Sequence, residues 1–406
     1  MEWISQNREL IGILLMPFTY GFVGWLTNVV ALKMTFYPIR FVGIWEPYLG
    51  WQGIVPRKGK YLALKSVNMV TERLIKLDEF FSRVKPEKLE AEFQPVLDKE
   101  LPDIAHKIIE EIHPDLKNHF TDKDLEEILK HAHEKTSHTV RDIAKTLNEN
   151  VSAVFNFKNF VLKQLTGPNI KRLVDIFQEV GHKEFKFIEK SGWIFGSLLG
   201  IGQAILWNFF PIWWTLPLQG VIVGYLTNWI ALNMIFRPLY PRKFLWLTYQ
   251  GLFLKRQEEV SKAYCSMFAN DVLTAKNVLS EILYRRAAKT VFEEVYHAVE
   301  ETLTHKNDEE AKKLLHAEKA MEVQKKIVEE VTNHLASQSS TLAKYMERAL
   351  NVEKMMYERM KSLPPEEFEE ILRSAFKEDE YILILIGSVL GALVGLGQAL
   401  YMLAVA

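Results

Sequence analysis

The chain has 406 residues, 50 of them Lys or Arg and 51 Asp or Glu, so its formal net charge is −1, and 48% of its residues are hydrophobic. Near-zero charge and average hydrophobicity would suit a soluble protein of two or three domains, and we expect no nucleic-acid partner. Cys265 is the only cysteine, which excludes an internal disulfide and gives no sign of an oxidising compartment.

The distribution of charge along the chain predicts a different class. No Asp, Glu, Lys or Arg occurs in residues 10–32, 191–236 and 381–406. A membrane-spanning helix needs about 20 apolar residues, and Pro211 among aromatic residues suits a turn at the headgroup level. We therefore predict four spans, near residues 10–34, 192–211, 214–236 and 381–403. No small-residue cleavage site follows the first stretch, so we expect a retained span rather than a signal peptide.

The sequence is internally duplicated. The segment GWLTNVVALKMTFYP, from Gly24 to Pro38, recurs as GYLTNWIALNMIFRP from Gly224 to Pro238. Each copy is followed by a short apolar segment with a basic pair, and each half closes on a glycine-rich apolar pattern. The repeat unit is therefore predicted to be a span, an interfacial hairpin, a long polar insert and a second span. Because each unit crosses the membrane an even number of times, we expect two parallel repeats.

We predict an all-α integral membrane protein, because apolar residues in both inserts recur at helical spacing and strand signals are nearly absent. Thr121 before an acidic turn predicts the start of one insert helix, running to about Leu147. Both inserts should form long antiparallel helices that pack in bundles, on each other or against lipid, although their mixed charge signs weaken the lipid alternative. The predicted regions are the first span and hairpin (1–56), insert 1 (57–190), two spans and the second hairpin (191–256), insert 2 (257–379) and the last span (380–406).

The charge asymmetry around the spans predicts their orientation. Basic residues such as Lys33, Arg57 and Arg237 flank the insert side, whereas the turn around Pro211 has none. By the positive-inside rule, the inserts should be cytoplasmic.

Neutral polar residues lie inside the predicted spans at matching positions of the two copies. An amide in hydrocarbon must find a partner, so these side chains could form interhelical hydrogen bonds worth about 1 kcal/mol each. They could instead line a polar path or bind a headgroup or ion. We favour the structural role, which would lock the repeats together, because no carboxylate joins them. The residues are Thr27, Asn28, Thr227, Asn228, Gln203 and Gln398.

The segments at 39–55 and 239–254 are too short and too interrupted to span, so we expect interfacial or re-entrant hairpins. Their basic pairs could fix the topology or hold anionic headgroups at the cytoplasmic leaflet. The candidate headgroup-binding residues are Gln52, Arg57, Lys58, Gln250, Lys255 and Arg256.

Catalytic and metal-binding patterns are weak. His131, Glu134 and His138 could share one helix face, for which a solvated surface is the simpler interpretation. No phosphate loop, nucleophile elbow, paired-cysteine cluster or dinucleotide fingerprint occurs. We expect no enzyme activity, no metal and no cofactor.

The duplicated GWLTN motif with its proline, the QGIVPRK stretch and a C-terminal LPPEEF segment leading to the acidic triplet 378–380 resemble a known family. It is the bacterial membrane-protein family catalogued as domain of unknown function four-four-five. The resemblance covers essentially the whole chain and implies a multi-pass protein of the bacterial cytoplasmic membrane with a helical soluble part. It brings no established activity or catalytic residues. The first copy departs from it, with Gly181-His182-Lys183-Glu184 in place of the acidic triplet.

Two functional hypotheses follow. The leading one is a non-enzymatic, membrane-organising or lipid-contacting protein, with membrane lipids and further copies of the chain as candidate partners. The alternative is an oligomeric transporter or channel with a polar path at the repeat interface, lined by the Thr-Asn pairs.

Overall fold

The computed structural model describes residues 8–244, 247–312, 315, 317–338, 340–373 and 380–405. Glu378 and Asp379 of the predicted acidic triplet lie outside them. Over the described residues the fold is all-α apart from two short β-hairpins, which confirms the predicted fold class at this level.

The elements of the first half follow one another in this order: α1 (Arg8–Phe36), β1 (Val42–Trp45), β2 (Leu49–Trp51), α2 (Ile54–Arg57), α3 (Gly59–Met69), α4 (Leu77–Phe81), α5 (Pro86–Ile112), α6 (Asp122–Glu149), α7 (Val151–Val154), α8 (Phe157–Leu165), α9 (Ile170–Val180) and α10 (His182–Phe209). A π-helical turn, Val70–Leu74, follows α3, and 3₁₀ turns occur at Pro114–His119 and Gly167–Asn169.

The second half begins with a similar series: α11 (Thr215–Phe236), β3 (Arg242–Phe244), β4 (Leu247–Tyr249), α12 (Leu252–Lys255), α13 (Gln257–Met267), α14 (Ala275–Leu279), α15 (Arg285–His305), α16 (Glu309–Lys312), α17 (Ala317–Gln338), α18 (Ser340–Leu350), α19 (Val352–Met360), α20 (Pro365–Arg373) and α21 (Glu380–Val405). π-Helical turns lie at Phe268–Val272 and Ser280–Tyr284.

These elements form two compact units. The first comprises Met1–Met69, Leu162–Met267 and Tyr357–Ala406, and therefore holds the long apolar helices and both hairpins. The second comprises Val70–Val161 and Phe268–Met356, the central parts of the two inserts. The ends of both inserts thus belong to the same unit as the apolar helices.

Three helices are long and apolar enough to cross a membrane: Leu10–Phe36, Thr215–Phe236 and Glu380–Ala404. They match the first, third and fourth predicted spans. The second predicted span, 192–211, lies mostly in α10, which is not among the three. Gly, Ser, Gln and Asn residues interrupt the apolar part of α10 and lower its mean hydropathy.

Glycines bring the apolar helices together in antiparallel pairs, α1 with α10 and α11 with α21. A methyl group added at Gly24 would lie 2.2 Å from the carbonyl oxygen of Gly192, and one at Gly391 would lie 2.0 Å from that of Gly220. Such spacings are too short for any Cβ, so the backbones touch where side chains normally intervene. Small residues at four-residue intervals are the usual means of close helix packing in membranes.

The two pairs also contact each other. α1 touches α11 and α21, and α10 touches α11. Their shared core contains Tyr20 of α1, Trp207 of α10, Leu216 of α11 and Met402 of α21, all buried.

The second unit is a helical bundle in which the two inserts pack on each other. Helix α15 contacts α5, α6 and α17, and α5 contacts α6. The predicted cap is confirmed: the Thr121 hydroxyl accepts from the Asp124 N–H, the Asp124 carboxylate accepts in return from the Thr121 N–H, and α6 ends at Glu149. This capping box satisfies two N–H groups that the helix cannot.

A methyl group at a packed glycine should destabilise the apolar helices. Gly391→Ala places its Cβ 2.0 Å from the Gly220 carbonyl oxygen, and overpacking of this kind typically costs about 1–3 kcal/mol. Gly397→Ala on the same helix is the matched control, because nothing lies within 4 Å of its Cβ. The free energy of unfolding, measured by titration with denaturing detergent, should fall for the first variant only. Equal effects would contradict this packing.

Candidate functional site

The asparagines of the duplicated motif each form one hydrogen bond within a helix pair. The Asn28 amide donates to the carbonyl oxygen of Ile188 at 2.6 Å, joining α1 to α10. The Asn228 amide donates to that of Leu383 at 2.8 Å, joining α11 to α21. The neighbouring threonines bond their own helices: the Thr27 hydroxyl donates to the Gly24 carbonyl at 3.1 Å. Thr227 does the same to Val223, at 2.9 Å.

We expected these side chains to bond between the two copies, and the structure instead places each bond inside one pair. The physical reason is the glycine opposite each asparagine. A Cβ at Gly192 would lie 2.6 Å from the Asn28 amide nitrogen, and one at Gly387 would lie 2.2 Å from that of Asn228. Without a side chain there, each amide reaches the carbonyl of the helix packed against it.

The two copies do meet at a small cavity. Asn28 and Asn228 both line it, together with Ile188 and Leu383, and its volume is about 20 Å³. That is enough for one water molecule and too little for a continuous solute path. The Asn28 side-chain oxygen is buried and has no partner among the described residues, so a water here would satisfy it.

The glutamine pair makes no interhelical bond in the part of the chain that the structure describes. Gln203 is only 3% exposed, yet its amide oxygen and nitrogen both lack a hydrogen-bond partner there. The side-chain oxygen of Gln398 also lacks one. The structural role predicted for these residues therefore has no contact to support it.

Each hairpin is closed at its base by the same two hydrogen bonds. In the first, the Gln52 amide donates to the Ile39 carbonyl at 2.8 Å, and the Gly53 N–H donates to the Pro38 carbonyl at 2.9 Å. In the second, Gln250 donates to Leu239 at 2.9 Å, and Gly251 to Pro238 at 3.0 Å. Both glutamines thus hold the hairpin itself, a simpler role than binding a headgroup.

The tip of the first hairpin exposes three large apolar side chains beside one carboxylate, that of Glu46. Ile44 is 96% exposed, Trp45 63% and Tyr48 76%. The rings of Trp45 and Tyr48 pack edge to face, with centroids 5.6 Å apart. Contiguous exposed apolar side chains normally mark a surface that contacts lipid or another protein.

In each of the two basic pairs, one residue is exposed and the other is less accessible. Arg57 and Lys255, the last residues of α2 and α12, are exposed and form no ion pair within the described ranges. Lys58 is half-buried. Arg256 is already ion-paired, because its guanidinium contacts Glu184 and donates to the Glu259 carboxylate at 2.9 Å. One residue of each pair, Arg57 or Lys255, is therefore exposed to an anionic headgroup.

Sequence reasoning did not identify Glu184 as a partner of Arg256. It lies in the first turn of α10 and is 1% exposed. Burial raises the pKa of its carboxyl, while the Arg256 guanidinium opposes that rise. Arg256 and Lys183 lower the pKa of Glu259 to about 2. Removing the partner of a buried carboxylate strongly destabilises a protein. Arg256 therefore has a structural role.

The weak metal pattern of His131, Glu134 and His138 does not form a metal site in the described part of the chain. There, no group of three or more His, Cys, Asp or Glu residues could hold a metal ion. His131 instead lies 3.1 Å from a carboxylate oxygen of Glu294 on α15.

No protein-family model matches this chain, and no curated protein matches it. The family resemblance therefore stays a prediction, and the function must be argued from the geometry.

Removing an intramembrane amide should weaken one helix pair. Asn228→Ala deletes the bond to the Leu383 carbonyl, and we expect the free energy of unfolding to fall by about 0.6–1.7 kcal/mol. Asn233→Ala is the matched control, because the Asn233 amide donates to Trp229 of its own helix. Detergent-induced unfolding of both variants in parallel tests this. A larger loss for the control would be inconsistent with the interhelical bond.

Proposed function

We propose that the chain is an integral membrane protein with four spans, formed by the three apolar helices and by α10, which holds the second predicted span. Helix α10 packs along α1 through contacts from Gly192 to Gly200, so it lies at the same depth as that apolar helix. Ile194, Leu198 and Ile205 on α10 are all about half exposed. Large apolar side chains on the outside of such a pair suit a hydrocarbon environment.

We further propose two parallel repeats. The support is that α1 with α10 and α11 with α21 make corresponding contacts: asparagine to carbonyl, and glycine to glycine one turn further along. The first helix of each pair, α1 or α11, is also followed by matching elements. These are a hairpin, a short helix (α2 or α12) and an 11-residue helix (α3 or α13).

The same contacts bring both hairpins to one membrane level. Because Asn28 and Asn228 line one cavity, α1 and α11 are side by side there. Each helix continues for two more turns, about 12 Å, before its hairpin begins. Both hairpins therefore leave the bundle at the same level, which the basic residues nearby favour as the cytoplasmic leaflet. The inserts would then be cytoplasmic and, by the family resemblance, the membrane would be the bacterial inner membrane.

The function that this geometry supports best is a non-enzymatic contact with the membrane surface, in which the hairpins lie in the headgroup layer and organise adjacent lipid. One observation carries the proposal: a hairpin with three exposed large apolar side chains, Ile44 almost fully exposed, follows closely on the end of an apolar helix. Trp and Tyr at such a tip suit the boundary between hydrocarbon and headgroups. Arg57 and Lys255 add free positive charge for anionic headgroups. The alternative, a transport path, gains no support from a cavity that holds one water molecule.

The depth of the hairpin tip tests the proposal directly. A spin label on Ile44→Cys, in lipid nanodiscs, should collide more often with dissolved oxygen than with a water-soluble nickel complex, because oxygen concentrates in hydrocarbon. Met321→Cys on α17 is the control: Met321 is 71% exposed in the second unit, and its label should show the opposite preference. The native Cys265 is fully buried and should stay unlabelled. Water-like accessibility at residue 44 would overturn the proposal.

Bound lipid provides a second test. The double variant Arg57→Gln with Lys255→Gln should lower the anionic phospholipid that co-purifies with the protein at least twofold, as measured by lipid mass spectrometry. The reason is that surface basic residues each contribute about 1 kcal/mol to attraction by anionic lipid. Arg285→Gln with Lys325→Gln, two exposed positions of the second unit, is the charge-matched control. Unchanged lipid content in the first variant would count against headgroup binding by these residues.

A further inference from the structure

A groove in the second unit concentrates positive charge. It lies between the start of α5 and helix α18, with a volume of about 480 Å³. Two alanines and one carboxylate, Glu92, also line it. The basic side chains around it are Arg83, Lys85, Lys88 and Arg348.

Within the described ranges, three of the four groove cations form no ion pair, whereas some basic residues of the unit do. Arg141 pairs with Glu90, Lys326 with Glu111, and Lys306 with Asp124. In contrast, Lys85, Lys88 and Arg348 form no ion pair among the described residues.

The remaining contacts of the groove cations include one carboxylate partner, Glu79. Arg83 reaches Glu79 only at 3.9 Å. Lys88 lies 6.0 Å above the Tyr345 ring, and Arg348 donates to the Lys344 backbone carbonyl.

Lys85 and Lys88 lie at the start of helix α5. Helix α5 has 27 residues, and its N-cap residue is Lys85, whose side chain cannot accept a hydrogen bond. A helix start carries partial positive charge and is stabilised by acidic or hydroxyl residues, whereas basic ones oppose it. Glu87 supplies an acidic residue in the same turn, which partly offsets the two basic ones.

A hydroxyl group completes the donor set. The Lys85 backbone N–H donates to the Tyr345 hydroxyl oxygen at 2.8 Å. That bond uses Tyr345 as an acceptor and leaves its O–H free to donate to a molecule in the groove.

We propose that this groove binds a phosphate-bearing anion. Its donors are the ammonium groups of Lys85 and Lys88, the guanidinium groups of Arg83 and Arg348, and the Tyr345 hydroxyl. A phosphate group fits because it offers several acceptor oxygens and a charge near −2, and arginine can engage two of those oxygens at once. The phosphate could belong to a soluble metabolite or to a lipid headgroup. The inference is independent of the proposed membrane contact.

The test uses the full chain in nanodiscs of neutral phosphatidylcholine, with inorganic pyrophosphate as the probe. Amine acetylation followed by mass spectrometry should show several-fold protection of Lys85 and Lys88 by pyrophosphate. Lys325, an exposed lysine outside the groove, should be unprotected. Arg348→Gln should raise the pyrophosphate concentration for half protection at least tenfold, whereas Arg285→Gln on α15 should not change it.

A second arm distinguishes the sources of phosphate. In nanodiscs containing phosphatidylglycerol and no pyrophosphate, protection of the same lysines would assign the site to a lipid headgroup; protection by pyrophosphate alone would assign it to a soluble ligand. The absence of protection in both arms, or equal protection of Lys325, would overturn the proposal. So would identical curves for Arg348→Gln and Arg285→Gln. Lys88→Gln provides a second groove variant if Arg348→Gln changes the circular dichroism spectrum.

Discussion

Backbone contact between glycines is the constraint on which the rest of the first unit depends. With Gly24 against Gly192 and Gly220 against Gly391, each helix pair is closer than ordinary side chains allow. Only at this separation can the Asn28 and Asn228 amides reach a carbonyl on the helix packed against them. In hydrocarbon, where apolar burial does not drive helices together, packing and a few hydrogen bonds must do so. The glycines and asparagines therefore act together, because the close packing that the glycines allow brings each amide within reach of its acceptor.

The consequences extend to the ends of the helices. Fixed pairs give α1 and α11 a common level, and each hairpin base is then held by a glutamine and a glycine N–H. The residues that the sequence grouped as candidate headgroup ligands have different roles in the structure. Gln52 and Gln250 maintain the hairpin, and Arg256 compensates the buried Glu184. Arg57 and Lys255 remain exposed, so recognition of an anion at this surface would fall to them.

The sequence predicted what depends on local pattern. Long charge-free stretches gave three of the apolar helices, and Thr121 with its acidic turn gave the start of α6. What it could not give depends on which segments meet. Nothing in the Thr-Asn motif states that Ile188 supplies the acceptor, and nothing near Arg256 states that Glu184, 72 residues earlier, lies beside it. The short strands were missed because a hairpin of three or four residues per strand is too short for alternation to be recognised.

The two units differ in how their charged residues are distributed, and the basic groove is part of that difference. In the first unit, charged groups are excluded from the apolar helices and collect near their ends, where water and headgroups can solvate them. In the second, long helices of mixed sign are joined by ion pairs such as Arg141 with Glu90. Exposed pairs of this kind contribute little stability individually. What distinguishes the groove is that four basic side chains surround it while one carboxylate, Glu92, lines it. Because a concentration of one sign of charge attracts the opposite sign, an anion from outside the chain is the expected partner of this groove.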